Sequence, residues 1–82
     1  MEQMVYSSQS LGAALRRQRK AQKRNQAQVG LPFQIDQTTV SSIEHGAPGT
    51  RLETLFRILA ALDLEMVIRS KKSPTPPSEE NW

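Results

Sequence analysis

The chain has no cysteine and a single histidine, His45. A disulfide framework, a thiolate nucleophile and a cysteine-based zinc site are therefore excluded, and so is a multi-histidine metal site. Aromatic residues make up 5% of the 82 positions and apolar residues 37%. That is enough for a small helical core and too little for a large ligand cavity. No apolar run approaches the roughly 20 residues of a membrane span, and no signal-peptide pattern opens the chain. Carboxylates are present at Glu44, Asp63 and Glu65, but no pair is set for acid–base work and no nucleophile has a base beside it. The expectation is one small intracellular domain that binds rather than catalyses and needs no cofactor or metal.

What is present is basic and unevenly placed. Eleven Lys and Arg against eight Asp and Glu give +3. Arg16, Arg17, Arg19, Lys20, Lys23 and Arg24 fall within nine residues that hold no acid, whereas the last ten residues hold Glu79 and Glu80 and no base. A clustered positive field attracts polyanions. The same run would also suit a plain solvated helix face. An anionic membrane surface is disfavoured, because the apolar side of this stretch (Leu11, Ala14, Leu15) is thin and is needed for the core.

Local signals divide the chain into a lead-in over 1–7, a helical domain over 8–63, a strand over 64–70 and a tail over 71–82. Ser7 is a good N-cap, with Tyr6 and Leu11 placed as a hydrophobic staple, and a helix runs from Ser8 to about Lys23 with Gly12 as its weak point. Asn25 caps a short second helix, with Gln28 at the capping-box position. Gly30 and Pro32 shorten or distort it near Leu31, and Phe33 packs just beyond. Asp36 caps the next helix, Gln37-Thr38-Thr39-Val40-Ser41-Ser42-Ile43-Glu44. Ile35 and Val40 staple its start, Val40 and Ile43 face inward, and Gly46 stops it. Thr50 and Glu53 read as a capping box for a fourth helix. Its apolar stripe (Leu52, Leu55, Phe56, Leu59, Leu62, widened by Ile58) exceeds what so small a core uses, which leaves some for a subunit contact.

Leu64, Met66 and Ile68 then alternate with Glu65, Val67 and Arg69, as in a strand. Nothing else in the chain reads as strand. The economical partner is the same strand of a second copy about a two-fold axis. Beyond Lys71 the Pro-, Ser- and Glu-rich composition marks disorder, yet the chain ends on Trp82, a candidate anchor for a partner's pocket.

Two short helices joined by a tight turn, the second with small polar residues outward, make a helix-turn-helix. The major groove admits such a helix. Gln pairs with adenine edges, and Ser and Thr hydroxyls serve any base. Gln37, Thr38, Ser41 and Ser42 have that chemistry at that spacing, although a plain polar surface helix looks alike.

The run from Asn25-Gln26 to Ile43-Glu44-His45-Gly46 resembles the phage-repressor (Cro/C1, XRE) helix-turn-helix family over roughly residues 8–62. That resemblance implies that Gln26 meets the DNA backbone while Gln37, Thr38 and Ser42 read bases; the basic run is expected to add backbone contacts from Arg16, Arg17 and Lys20. It also implies that Arg19 pairs with Glu44 and braces the recognition helix. The family usually has alanine at the position of Gly30 and no proline at Pro32. The chain as a whole resembles the HipB-type antitoxins. This implies a mainly α fold and a homodimer joined by strands containing Leu64, Met66 and Ile68. It further implies a palindromic operator repressed by its own product, a HipA-type Ser/Thr kinase toxin as partner, Trp82 as the toxin anchor, and a cytoplasmic site of action on the nucleoid. A plain Cro/C1-type repressor without a toxin partner, or an adaptor that no longer binds DNA, would share the domain.

Overall fold

Four helices succeed one another along the chain in the computed structural model, which describes residues 2–71. They are α1 (Ser8–Ala21), α2 (Gln26–Gly30), α3 (Gln37–Glu44) and α4 (Leu52–Ala61), with a single 3-10 turn at Leu31–Phe33 after α2. Three of the four starts are capped by side chains. Ser7 Oγ accepts from the Ser10 amide at 3.0 Å, and Ser10 Oγ accepts in return from the Ser7 amide at 3.1 Å. Asn25 and Gln28 form the same reciprocal box, at 2.8 and 2.7 Å. Asp36 Oδ1 accepts from the Thr39 amide at 2.9 Å. Each such bond satisfies an amide that the first helical turn would otherwise leave unpaired.

The fourth start corrects the sequence expectation. Arg51, not Thr50, is the N-cap of α4, and no side chain caps it. The expected Thr50–Glu53 box does not form. The helix starts one residue later than that box needs, so Glu53 falls at the second helical position. There it meets Arg57 at 3.4 Å, one turn on.

Three helix ends share one geometry. After α1, α3 and α4 the chain turns through a left-handed residue, namely Lys23, Gly46 and Asp63. Paired backbone bonds then close the last turn, as in Gly46 N to Ile43 O and Ala47 N to Ser42 O, both 3.0 Å. This is the Schellman arrangement. Only Gly46 announces it in the sequence.

The core gathers one face from every helix: Leu15, Val29, Ile35, Val40, Ile43, Ile58, Leu59, Ala61 and Leu62, with Leu11, Leu55 and Leu64 packed against it. Ile35 and Val40 are both buried, as the staple before α3 requires. The Tyr6–Leu11 staple is not of that kind. Leu11 lies against the core, but Tyr6 is exposed, with Lys71 Nζ 5.2 Å from its ring centre. Phe33 is also only partly covered.

Gly12 is a contact site rather than a weak point. A Cβ there would stand 2.3 Å from the Ile43 carbonyl oxygen and 2.7 Å from that of Glu44. The bare glycine lets α1 cross directly over the backbone of α3. Gly30 is just as enclosed, with the Ile35 carbonyl oxygen 2.3 Å from where an alanine methyl would sit.

No strand is assigned among the described residues. Leu64 closes the end of α4 by donating its amide to Leu59 O at 2.8 Å. Beyond it Met66, Val67 and Ile68 stand exposed, Ile68 at 91%. Leu52 and Phe56 of α4 are likewise uncovered, so the surplus in its apolar stripe is on the surface. Trp82 lies outside the described residues.

Candidate nucleic-acid interface

The outward face of α3 follows from its inward one. Val40 and Ile43, three residues apart, are buried to 1% and 4% exposure. Helical periodicity then turns Gln37, Thr38, Ser41 and Ser42 the other way. Gln37, Thr38 and Ser42 are exposed and Ser41 is half-buried. Together with Gln26, His45 and Ala47 they line one concave surface. All four expected base-reading residues and the expected backbone contact Gln26 are thus brought together.

This surface is braced from behind. Glu44 and Arg19 form a two-pronged pair, Arg19 Nε to Glu44 Oε2 at 2.6 Å and Arg19 Nη2 to Glu44 Oε1 at 3.0 Å, with both side chains at most 10% exposed. Arg19 Nη1 also donates to the Arg24 carbonyl at 2.8 Å. Gln26 Nε2 donates to Glu44 Oε1 at 3.2 Å, and its own Oε1 accepts from Gln37 Nε2 at 3.4 Å. A continuous polar chain therefore runs from α1 through the buried end of α3 to α2 and back to the first residue of α3. Such a chain fixes orientation, since a buried ion pair gains little net stability once desolvation is counted.

The electrostatics agree with ionised partners. Burial alone would push the Glu44 carboxyl up; the hydrogen bonds from Arg19 and Gln26, with the charges of Arg19 and Arg16, outweigh it and hold the carboxyl below its ordinary range. The hydrogen bond to Glu44 raises the Arg19 guanidinium. Asp36 is held low chiefly by the Thr39 amide. Its charge is thereby engaged at the start of α3, where a free carboxylate would repel a phosphate.

The basic run separates into different tasks. Arg16 lies one turn beyond Gly12, on the side of α1 that faces α3, and is exposed, as is Lys20 a turn further on. Arg17 is exposed but lies about 100° round the helix from Arg16, where it donates to Gln3 of the lead-in. None of Arg16, Arg17 and Lys20 lines the concave surface itself. Arg19 is taken by Glu44. Arg24 is taken by α4, with Nη2 donating to Ala61 O at 2.5 Å and to Gln22 Oε1 at 2.7 Å.

Gln18 and Gln22 complete that attachment by donating to Leu62 O at 3.2 and 2.9 Å. They satisfy carbonyls that the end of α4 leaves open. No local signal marks these three residues, since their acceptors lie 37 to 44 positions away. His45 is a second omission: no sequence signal marked it for the site, yet it borders the concave surface.

Among the described residues no group of three His, Asp or Glu could hold a metal ion, and no helix is long and apolar enough to cross a membrane.

The helix-turn-helix family model matches residues 15–68. Antitoxin HipB of Escherichia coli (strain K12) is 32% identical over 78 residues, covering 95% of this chain and 89% of the relative. Among solved structures, a HipB-O4 20mer complex superposes with a TM-score of 0.81 at 31% identity, over 87% of this chain and 100% of the other. A HipA-HipB-O2-O3 complex gives the same values. The restriction-modification controller protein C.AhdI from Aeromonas hydrophila gives 0.65 at 26% identity, over 71% and 84%.

Proposed function

The chain belongs to the helix-turn-helix DNA-binding family and, within it, to the HipB antitoxins, and on that premise we propose that it represses its own operon as a homodimer and neutralises a HipA-type kinase. One observation carries the reading: an outward, uncharged, hydrogen-bonding face on α3, held in place by the Arg19–Glu44–Gln26 chain behind it. Uncharged donors and acceptors can match base edges without the cost of stripping water from a charge.

In this reading Gln37, Thr38, Ser41 and Ser42 meet base edges. Gln26, Arg16 and Lys20 meet phosphates and set the register. Arg17, bonded to Gln3, contributes long-range field rather than a contact. Two copies present their α3 helices to successive major-groove faces of a palindromic operator, with half-sites about one helical turn or a multiple apart.

The segment 64–70 pairs with itself across the dimer axis. Its alternating pattern, its exposed Met66 and Ile68 and the absence of any strand to pair with it among the described residues support this. Trp82 anchors the toxin, and the site of action is the nucleoid in the cytoplasm. Support for the toxin comes from the likeness to HipB, one of whose solved structures contains HipA.

Two experiments test the proposal. Selection from a random duplex pool should return a palindrome, and recovery of no common sequence would count against base reading. Co-purification with a HipA-type kinase should weaken when residues 73–82 are removed. A plain Cro/C1-type repressor would lose nothing.

A further inference from the structure

His45 is the residue following α3 and its C-cap. Its Nδ1 lies 2.7 Å from the Ser41 carbonyl oxygen. A carbonyl only accepts, so Nδ1 carries a hydrogen, and the remaining ring nitrogen, Nε2, decides what the ring can do. In the neutral ring Nε2 offers a lone pair, which an anion repels. In the protonated ring it offers an N–H, which an anion accepts.

The position favours the anion. His45 lies about 12 Å along the axis from Gln37, at 1.5 Å per residue, on the same concave surface. Residues at the start of a recognition helix reach the bases, so the far end leaves the groove beside the sugar–phosphate wall. The end of a helix also carries partial negative charge, which suits a cation.

No acid competes for that cation in the lining, which is Gln26 from α2, Gln37, Thr38, Ser41 and Ser42 from α3, and Ala47 from the following loop. From α1, the residue packed against the adjoining Gly46 is Gln9, which is uncharged. Glu44, next in sequence, is buried and held by Arg19 and Gln26, with the positive charge of Arg16 also acting on it.

We propose that His45 contacts a DNA phosphate only in its protonated form, so that operator affinity rises as pH falls. This rests on the DNA-binding reading above and adds a proton-linked contact to it.

The test measures duplex affinity by fluorescence anisotropy at about pH 6 and about pH 8, using a duplex recovered by selection. Wild-type protein, His45→Gln and His45→Lys are compared over a salt titration, with circular dichroism confirming the fold at both pH values. Wild-type affinity is expected to fall about 3- to 10-fold between the two pH values, with the salt slope shallower by about two at the higher pH, one contact from each protomer. His45→Gln should be nearly flat with pH. His45→Lys should keep its tight binding at the higher pH. A His45→Gln variant that retains the wild-type pH and salt dependence overturns the proposal, and so does one that loses discrimination against scrambled DNA, which would mark a base contact. Absence of binding by the wild type at both pH values would instead overturn the DNA-binding reading itself.

Discussion

Helix α3 and the segment after α4 are of similar length, and both face outward, yet the single chain completes only the first. α3 has Asp36 at its start, two buried apolar side chains, a closed left-handed end at Gly46 and the Arg19–Glu44 brace. What it shows to solvent is amide and hydroxyl, which water satisfies until a duplex replaces it. The segment over 65–69 has no cap, no buried side chain and only an exposed ion pair, Arg69 with Glu2 of the lead-in at 3.9 Å. It shows Met66, Val67 and Ile68, which water does not solvate well. The contrast teaches that the two faces await different chemistry: the polar one can exchange reversibly between water and nucleic acid, and the apolar one calls for cover by protein.

That contrast can be broken at several points. Replacing Glu44 by Ala leaves the Arg19 guanidinium buried without its partner. It should cost about 3 kcal/mol in urea unfolding and loosen α3 along with the fold. Little change would mean that the brace is dispensable. Gly12→Ala should destabilise by about 1–3 kcal/mol, against the gain of about 1 kcal/mol that alanine gives in an open helix, because the added methyl meets the Ile43 carbonyl. A stabilised variant would show that the crossing of α1 over α3 can relax.

The other side of the comparison is tested at Ile68. Ile68→Asp should weaken the proposed dimer at least about tenfold, or 1.4 kcal/mol, in analytical ultracentrifugation, while leaving the helical signal of the monomer intact. A dimer of unchanged strength would place the subunit contact elsewhere, with the uncovered Leu52 and Phe56 of α4 as the next site to test.

The smallest effect is in acid. The Glu44 carboxyl is held below its ordinary range in the folded chain. Its contribution is therefore complete above the unfolded value of about 4.3 and is lost as pH falls from there through the folded value. Between about pH 5 and pH 3 the melting temperature should drop more steeply for the wild type than for Glu44→Gln. Parallel curves would contradict the ion pair.

The site was more legible in the sequence than its supports were. Caps and inward faces are local: Asp36, Val40, Ile43 and Gly46 bound α3 correctly because each acts within four residues of its own position. The Arg19–Glu44 pair spans 25 positions and came only through family resemblance. The Thr50–Glu53 box failed because a cap depends on where the helix actually starts, and Arg51 takes that place. The closeness of Gly12 to the backbone of α3, and the attachment of Gln18, Gln22 and Arg24 to the end of α4, are tertiary facts. No spacing rule reaches them. The left-handed turns at Lys23 and Asp63 went unseen because neither is the glycine such turns favour.

The most direct measurement compares wild-type protein and Gln37→Ala on a duplex recovered by selection and on a scrambled duplex of equal length. The account predicts a loss of about 1–3 kcal/mol on the selected duplex alone, with preference blurred at one base pair. Equal losses on both duplexes, or none on either, would contradict the claim that the outer face of α3 reads sequence.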